Sequence, residues 1–506
     1  MKKLLYIDLF CGAGGTSTGV NTARLHGERC AEVIACVNHD ANAIASHAAN
    51  HPDALHFTED IRTLDLGQLE AHVEKCRAKN AGALTVLWAS LECTNFSKAK
   101  GGQPRDADSR TLAEHLFRYI EIIRPDYIQI ENVEEFMAWG PLDANGRPKS
   151  KDRGRSYVRW VSKVNGYGYR YDHRILNAAD YGAYTSRKRF FGIFAKDGLP
   201  IAFPEPTHSK TGGDGLFGEV KKWKAVRDVL DLEDEGQSIF TRKKPLSEKT
   251  LERIYAGLVK FVAGGRQAFL VKYNSMSQRG KYIAPSLEVP CPTVSTQNRL
   301  GLARVKFLSK QFGGTPEGKS ISVEEPAGTI TTIDHHALTT VRFMANEYSG
   351  GGQLTSIEQP NPAVLTRPKQ ALVTCKRFLM NPQYNSAGGS VDDPCFTLIA
   401  GMDKMPPYLV TTKDGDVAIE GYETDSPMTV KIKEFMARYR IMDILMRMLK
   451  VEELVLIMGF PKGYVLIGTQ ADRKKFIGNA VEVNMARKLC EALCGRIEEH
   501  QYRKAG

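Results

Sequence analysis

This chain of 506 residues has no apolar run approaching the roughly 18 residues of a membrane-spanning helix, so a membrane-embedded architecture is not expected. Its first residues, Met1-Lys-Lys-Leu-Leu-Tyr-Ile-Asp8, meet an acid too early for the apolar core of a signal peptide. It also lacks paired cysteines. The ten, at 11, 30, 36, 76, 93, 291, 375, 395, 490 and 494, lie far apart and include no C-x-x-C. Neither a zinc ribbon nor a disulfide framework is expected, and no metal. A reducing cytosol suits such thiols. The glycine turn near the amino terminus has neither G-x-G-x-x-G nor Lys, which argues against a dinucleotide fingerprint and a triphosphate cradle. Acid is short relative to base: 69 Lys and Arg against 58 Asp and Glu leave a formal charge of +11, a modest pointer to nucleic acid.

What is present begins with the apolar run Leu4–Ile7, followed by Asp8-Leu-Phe-Cys-Gly-Ala-Gly-Gly15 and Thr16-Ser-Thr-Gly19. That order predicts a buried strand, a glycine hinge and a helix whose free N–H groups face a nucleotide-like ligand. Further strands are expected at Ala31–Val37, Ala83–Ala89, Tyr127–Glu131, Tyr171–Leu176 and Phe190–Phe194, with helical patterns between them, such as Thr111–Ile123. Strands alternating with helices predict an α/β fold with a parallel, doubly wound sheet. Ligands bind beyond the carboxyl ends of such strands. The Gly12 turn, Ser90-Leu-Glu-Cys93 and Glu131-Asn-Val133 all fall there. Residues 140–155 read as a basic loop, and 205–222 as a linker to a second region.

That second region repeats itself. Val289-Pro-Cys-Pro-Thr-Val-Ser-Thr, Glu325-Pro-Ala-Gly-Thr-Ile-Thr-Thr, Gln359-Pro-Asn-Pro-Ala-Val-Leu-Thr and Asp393-Pro-Cys-Phe-Thr-Leu-Ile-Ala align on prolines 36, 34 and 34 residues apart. Each follows a Phe-led segment: Phe269-Leu-Val-Lys, Phe307-Leu-Ser-Lys, Phe343-Met-Ala-Asn or Phe378-Leu-Met-Asn. A fixed period rich in β-branched residues predicts an array of short β units. His335 and His336 have no Cys or acidic partner at ligand spacing and read as contact residues. From about Ile432 the pattern reads as helical through Leu454; Met458-Gly-Phe-Pro461 stops it, and a last helix is expected over Glu482–Arg496.

Cys93 stands just past an expected strand. Nearby Lys98 and Lys100 favour a thiolate, although a lone cysteine is more often a small buried apolar residue. Glu92 beside it opposes ionisation unless it points away. Glu131 ends the next strand and either shares the cleft or caps the following segment. Arg187-Lys-Arg189 offers fixed cations or a solvated basic turn.

Taken together, these blocks resemble the cytosine-C5 DNA methyltransferase family. The resemblance rests on Asp8–Gly15, Glu59-Asp-Ile61, Glu92-Cys-Thr-Asn-Phe-Ser97, Glu131-Asn-Val133, Ser186-Arg-Lys-Arg189, and Arg447-Met-Leu449 through Gly459-Phe-Pro461 to Gly478-Asn-Ala-Val481. It implies a Rossmann-like S-adenosylmethionine-dependent sheet with an inserted, mainly β target-recognition domain. The implied division is a catalytic domain over 1–200, a target-recognition or small domain over 201–470 holding the four repeats (about 269–412), and a returning segment over 471–506. S-Adenosylmethionine would lie against Phe10, Cys11, Gly12, Ala13, Gly14 and Gly15, with Asn38, His39, Asp60, Ile61, Leu91, Leu112, Asn479 and Val481 completing its pocket. Cys93 would attack C6 of a cytosine flipped out of duplex DNA, Glu131 would hold or protonate N3, and Arg187 and Arg189 would steady the O2 side.

The sequence departs from the family in places. The usual Pro-Pro-Cys-Gln is Leu91-Glu-Cys-Thr94, the ribose acid is Asn38 with Asp40 nearby, Gln-x-Arg-x-Arg is Thr185-x-Arg187-x-Arg189, and Met458 replaces a glutamine. The resemblance implies a monomer acting on double-stranded DNA in a cell's cytosol, bacterial or phage-encoded, with a restriction endonuclease as a candidate partner. An enzyme of the same build acting on tRNA, and a silent DNA-binding module, are the alternatives.

Overall fold

The computed structural model describes residues 4–91, 112–143, 152–215, 218–231, 233–258, 422, 424–438 and 441–505, and between 259 and 421 only strand segments. The chain forms two compact units. The first comprises Met1–Lys224 and Leu454–Gly506; the second lies within Ala225–Glu453.

The first unit is built on seven strands: β1 (Leu4–Leu9), β2 (Ala31–Val37), β3 (Leu55–Phe57), β4 (Leu84–Ser90), β5 (Tyr127–Asn132), β6 (Tyr169–Asn177) and β7 (Lys188–Lys196). Their order is β3-β2-β1-β4-β5-β7-β6. β1 is buried along its whole length, as a central parallel strand covered on both faces must be. Every expected strand is present. The three-residue β3 is too short to show a pattern in sequence. The expectation of an all-parallel sheet needs correction: β7 runs antiparallel to β5, and β6 antiparallel to β7. Only residues 178–187, opening with the turn Ala178–Tyr181, separate β6 from β7, too little chain for the crossover that parallel pairing requires.

Helices α1 (Gly15–Thr22), α2 (Ala41–Asn50), α3 (Gly67–Lys79), α4 (Leu116–Ile123) and α5 (Arg155–Asn165) fill the connections, and α6 (Gln470–Asn479) and α7 (Val483–Ala505) complete the unit. One core packs Leu5, Ile7, Leu87 and Ile128 against Leu69, Leu116, Phe136 and Trp160. The opposite face packs Tyr6, Trp88 and Ile193 against Met485, Leu489 and Leu493 of α7. The expected linker over 205–222 instead carries a small sheet made of His208–Ser209, Gly213–Gly215 and Gly218–Lys222.

α1 crosses α7 at backbone distance. A Cβ on Gly19 would stand 2.5 Å from the Val483 carbonyl oxygen and 2.6 Å from Ala486 Cβ. The helix propensity gained by Gly19→Ala, about 1 kcal/mol, is therefore outweighed by overpacking of about 1–3 kcal/mol. The variant is expected to melt lower than wild type in thermal unfolding followed by circular dichroism.

Glu482 heads α7. It is buried, its Oε2 accepting from Met485 N–H at 2.7 Å and its Oε1 from Asn484 Nδ2 at 3.1 Å. Burial pushes its carboxyl up from 4.5 to about 7, against those hydrogen bonds. The folded state then binds more protons than the unfolded state between those values, so Glu482 makes stability fall as pH rises from about 4.5 to about 7. Glu482→Gln stays neutral. It is expected to gain melting temperature on wild type across that window, with a limit on the order of 3 kcal/mol. Parallel melting curves of the two proteins from pH 4 to 8 would show no divergence if the carboxyl is ionised throughout.

The second unit carries Ile441–Met448 as a strand, correcting the helical expectation there. Ile441, Asp443, Ile444, Leu445, Met446 and Arg447 are all buried, so the segment shows neither the helical nor the alternating period. The repeat is visible in the pairing. Phe307–Lys310 pairs antiparallel with Ser320–Ile321 and His336–Thr339; Arg342–Asn346 pairs with Gln353–Ser356 and Gln370–Thr374; Arg377–Asn381 pairs with Gly389–Ser390 and Tyr408–Asp414. In the first copy, Val271–Lys272 pairs with Leu300–Gly301. The Phe-led segments are thus the recurring strands, while the proline turns lie outside the described residues. Among the described residues, no helix is long and apolar enough to cross a membrane.

Candidate active site

The first unit contains a cavity of about 440 Å³ beyond the carboxyl ends of β1, β2, β4 and β5. It lies where an open α/β sheet places its ligand. Of the residues expected to hold a cofactor, Phe10, Cys11, Gly12, Asn38, His39, Asp60, Ile61, Leu91, Leu112, Asn479 and Val481 line it. Ala13, Gly14 and Gly15 do not; they form the back of the turn. Asp40, expected beside Asn38, lines it as well, and Thr16, Ala43, Glu59, Arg62, Ser90, Lys475, Phe476 and Ala480 join the lining without having been expected as cofactor contacts.

The turn after β1 is conformationally unusual. Phe10 has φ 61°, Gly12 φ 52° and Gly14 φ 101°. A left-handed phenylalanine costs about 1–2 kcal/mol, and backbone strain of this kind clusters at functional sites. A Cβ on Gly12 would meet nothing within 4 Å, so its backbone faces open space, whereas Gly14 is closed off by Tyr464. Tyr464 Oη donates to the Ala13 carbonyl at 2.6 Å and receives the Thr18 hydroxyl at 3.2 Å. No sequence signal marks Tyr464, which comes from a distant part of the chain.

Asn38 Oδ1 accepts from Asp40 N–H at 2.9 Å, leaving its amide N–H₂ as the donor it can offer a hydroxyl. Asp40 caps α2, accepting from Asn42 and Ala43 N–H, and pairs with Lys475 Nζ at 2.9 Å. Its carboxyl is held below the usual range: the Lys475 hydrogen bond and the two cap N–H groups outweigh the opposing effect of burial, the largest single contribution. Asp60 is less available than the sequence suggests. Arg62 binds both of its oxygens, at 3.0 and 2.7 Å.

Glu131 sits at the far wall, on the last turn of register of β5, directly opposite Ser90 of β4 and Phe191 of β7. It is buried, as are Arg187 and Arg189. Its Oε1 lies 3.2 Å from Arg189 Nε and 3.9 Å from Arg187 Nη2. Arg187 Nη1 donates to the Gly478 carbonyl at 3.1 Å, tying this edge to the end of α6. Glu131 does not cap the segment that follows; Asn132 Oδ1 takes the Val133 N–H instead. Asn132 Nδ2 also donates to the Leu91 carbonyl at 3.3 Å. Chain leaving β4 is thereby fastened beside Glu131, two residues before Cys93. Cys93 itself, with the rest of 92–111, lies outside the described residues.

Arg447, in the second unit, has a structural role. It forks onto Glu453 at 2.8 and 3.0 Å and donates to the Asp231 and Asp234 carbonyls.

The strand order, the reversed β7 and the cavity at the carboxyl edge define a Rossmann-like methyltransferase sheet with an inserted, mainly β second unit. The family model of C-5 cytosine-specific DNA methylase matches residues 4–299 and 386–495, and the chain belongs to that family. It is 32% identical over 253 residues to the Type II methyltransferase M.AgeI of Thalassovita gelatinovora, covering 47% of this chain and 53% of that protein. It is 29% identical over 244 residues to M1.HphI of Haemophilus parahaemolyticus, covering 47% and 59%. The chain thus spans about half the length of the curated relatives it matches. The S. pombe Dnmt2 methyltransferase structure aligns over 97% of this chain and 98% of its own at 14% identity and a TM-score of 0.44, a likeness too slight to bear on substrate.

Proposed function

We propose that this chain is a DNA (cytosine-5-)-methyltransferase using S-adenosylmethionine as methyl donor. The observation that carries the reading is the buried Glu131–Arg189–Arg187 group at the carboxyl edge of the sheet, with Glu131 and Arg187 on the wall of the 440 Å³ cavity and beside the chain that leads to Cys93. The residues present fit the cofactor. The cavity falls in the size range of small-molecule sites, about 300–1,000 Å³, and Glu59 on its wall suits a cationic sulfonium and amine. Phe10, Cys11, Gly12, Asn38, Asp60, Leu91, Asn479 and Val481 would hold it, with Gly14 and Gly15 shaping the turn. When bound it supplies an electrophilic methyl group.

The chain's own residues do the rest. Cytosine is a poor carbon nucleophile until a thiolate adds to its ring, so Cys93 bonds to C6 and electron density moves to C5. Glu131 holds N3, and Arg189 and Arg187 keep that carboxyl oriented while stabilising the O2 side. After C5 accepts the methyl group, loss of its proton expels the Cys93 thiolate. The substrate is duplex DNA with the target base flipped out. Loops of the repeats, around Asn274–Lys281, Gln311–Lys319, Asn346–Gly352 and Gln383–Gly389, carry the amide and basic side chains that read base edges. The protein acts as a monomer in the cytosol, paired with a restriction endonuclease where it serves a restriction–modification system.

Bisulfite sequencing of plasmid DNA from expressing cells is expected to show protected cytosines within one short motif. Protection of tRNA cytosines with an unmodified plasmid would move the assignment to an RNA enzyme of the same build.

A further inference from the structure

Beneath the cofactor turn, two thiols and two imidazoles converge from four different elements. Cys11 comes from the turn after β1, Cys36 from β2, His47 from α2 and His56 from β3. Ligand atoms of Cys11, Cys36 and His47 all lie within 4.8 Å of one another, and all three residues are buried. Cys36 Sγ is 3.6 Å from His47 Nδ1, and His47 Nδ1 is 3.0 Å from His56 Nε2. The sheet dictates part of this. Cys36 and His56 are register partners in adjacent parallel strands, so their side chains share a face.

Ser17 Oγ bridges Asp8 Oδ2 at 2.8 Å and His47 Nε2 at 2.9 Å. A hydrogen-bonded outer nitrogen is the support that metal-bound imidazoles commonly have. Around a tetrahedral zinc with bonds of about 2.3 Å to sulfur and 2.0–2.1 Å to nitrogen, sulfur and nitrogen stand about 3.6 Å apart and two nitrogens about 3.3 Å. The first separation matches, and the second differs by a few tenths of an ångström. His56 is only half-buried and gives an ion its way in.

We infer that Cys11, Cys36 and His47 form the core of a buried site for a divalent metal ion, with zinc the ion that two thiolates and an imidazole favour, and with His56, 3.0 Å from His47 Nδ1 but outside the mutually close group, the nearest further imidazole. The site pins the Cys11 turn to β2 and α2. Sequence spacing gave no hint of it, because the ligands fall singly along the chain and meet only when β1, β2 and α2 come together.

The full chain, purified without added metal and dialysed, is expected to retain about one equivalent of zinc by elemental analysis. After acid or chelator stripping, Co(II) titration is expected to give the near-ultraviolet thiolate-to-cobalt band and the intense visible bands of a tetrahedral site. Cys36→Ser and His47→Ala should each lower bound metal at least about tenfold. Cys494→Ser should not; it disrupts the other buried thiol group, Cys30, Cys490 and Cys494. Wild-type protein that holds no metal and develops no cobalt band would overturn the inference whatever the variants do. A band lost in Cys494→Ser but kept in Cys36→Ser would overturn it as well, by assigning the metal to the other cluster.

Discussion

Cys93→Ser is expected to reduce methyl transfer by roughly 10⁴-fold or more, while DNA and S-adenosylmethionine binding stay within a few-fold of wild type. The hydroxyl that replaces the thiol has too little alkoxide at neutral pH to add to C6. The loss falls on kcat because the missing bond forms only along the reaction path. Single-turnover methylation of a duplex carrying the protected motif, with a gel-shift measurement beside it, separates the two effects. A second readout is covalent trapping. A 5-fluorocytosine duplex should form a denaturation-resistant adduct with wild-type protein and none with Cys93→Ser. A variant that turns over at the wild-type rate would remove Cys93 from the mechanism.

The second large effect belongs to Glu131. Glu131→Gln keeps the volume but loses both the acidic proton and the charge, and is expected to slow methyl transfer by about 10²–10⁴-fold, the range of a general acid. Glu131→Ala should do more, and of a different kind. Arg187 and Arg189 are both buried with Glu131 as their carboxylate. Removing it takes away the carboxylate that both guanidinium groups approach, and breaking a buried pair in this way costs about 3–5 kcal/mol. Gln keeps an oxygen that can accept from Arg189 and is thus expected to lose less stability than Ala, while both fail in chemistry. Thermal melts alongside single-turnover rates distinguish the two. Equal melting temperatures for wild type and Glu131→Ala would show that the arginines are neutralised by some other group.

Much of this could be read in the chain before any fold was known. The run Leu4–Ile7 followed by glycines marks a strand and a ligand turn because a buried parallel strand needs continuous apolar residues, and a backbone approaching a ligand needs glycine. The six motif blocks follow the same logic, as do the Phe-led strands of the repeat. Short-range chemistry writes itself into short stretches of sequence. The antiparallel β7, the strand at Ile441–Met448 and the three-residue β3 were not legible for the complementary reason: pairing partners, not local period, decide them.

The site divides in the same way. Sequence by itself determined which residue types carry the chemistry: a thiol at 93, a carboxyl at 131, guanidinium groups at 187 and 189, and a glycine turn at 12–15. Tertiary structure alone decided their company. It put Arg187 and Arg189 around Glu131, gave the Ala13 carbonyl to Tyr464, and gathered Cys11, Cys36 and His47 under one turn. Those partners lie tens to hundreds of residues apart. A hydrogen bond or ion pair acts over a few ångströms of space and leaves no trace in sequence spacing, so only the ordering of strands in the sheet could bring them within reach.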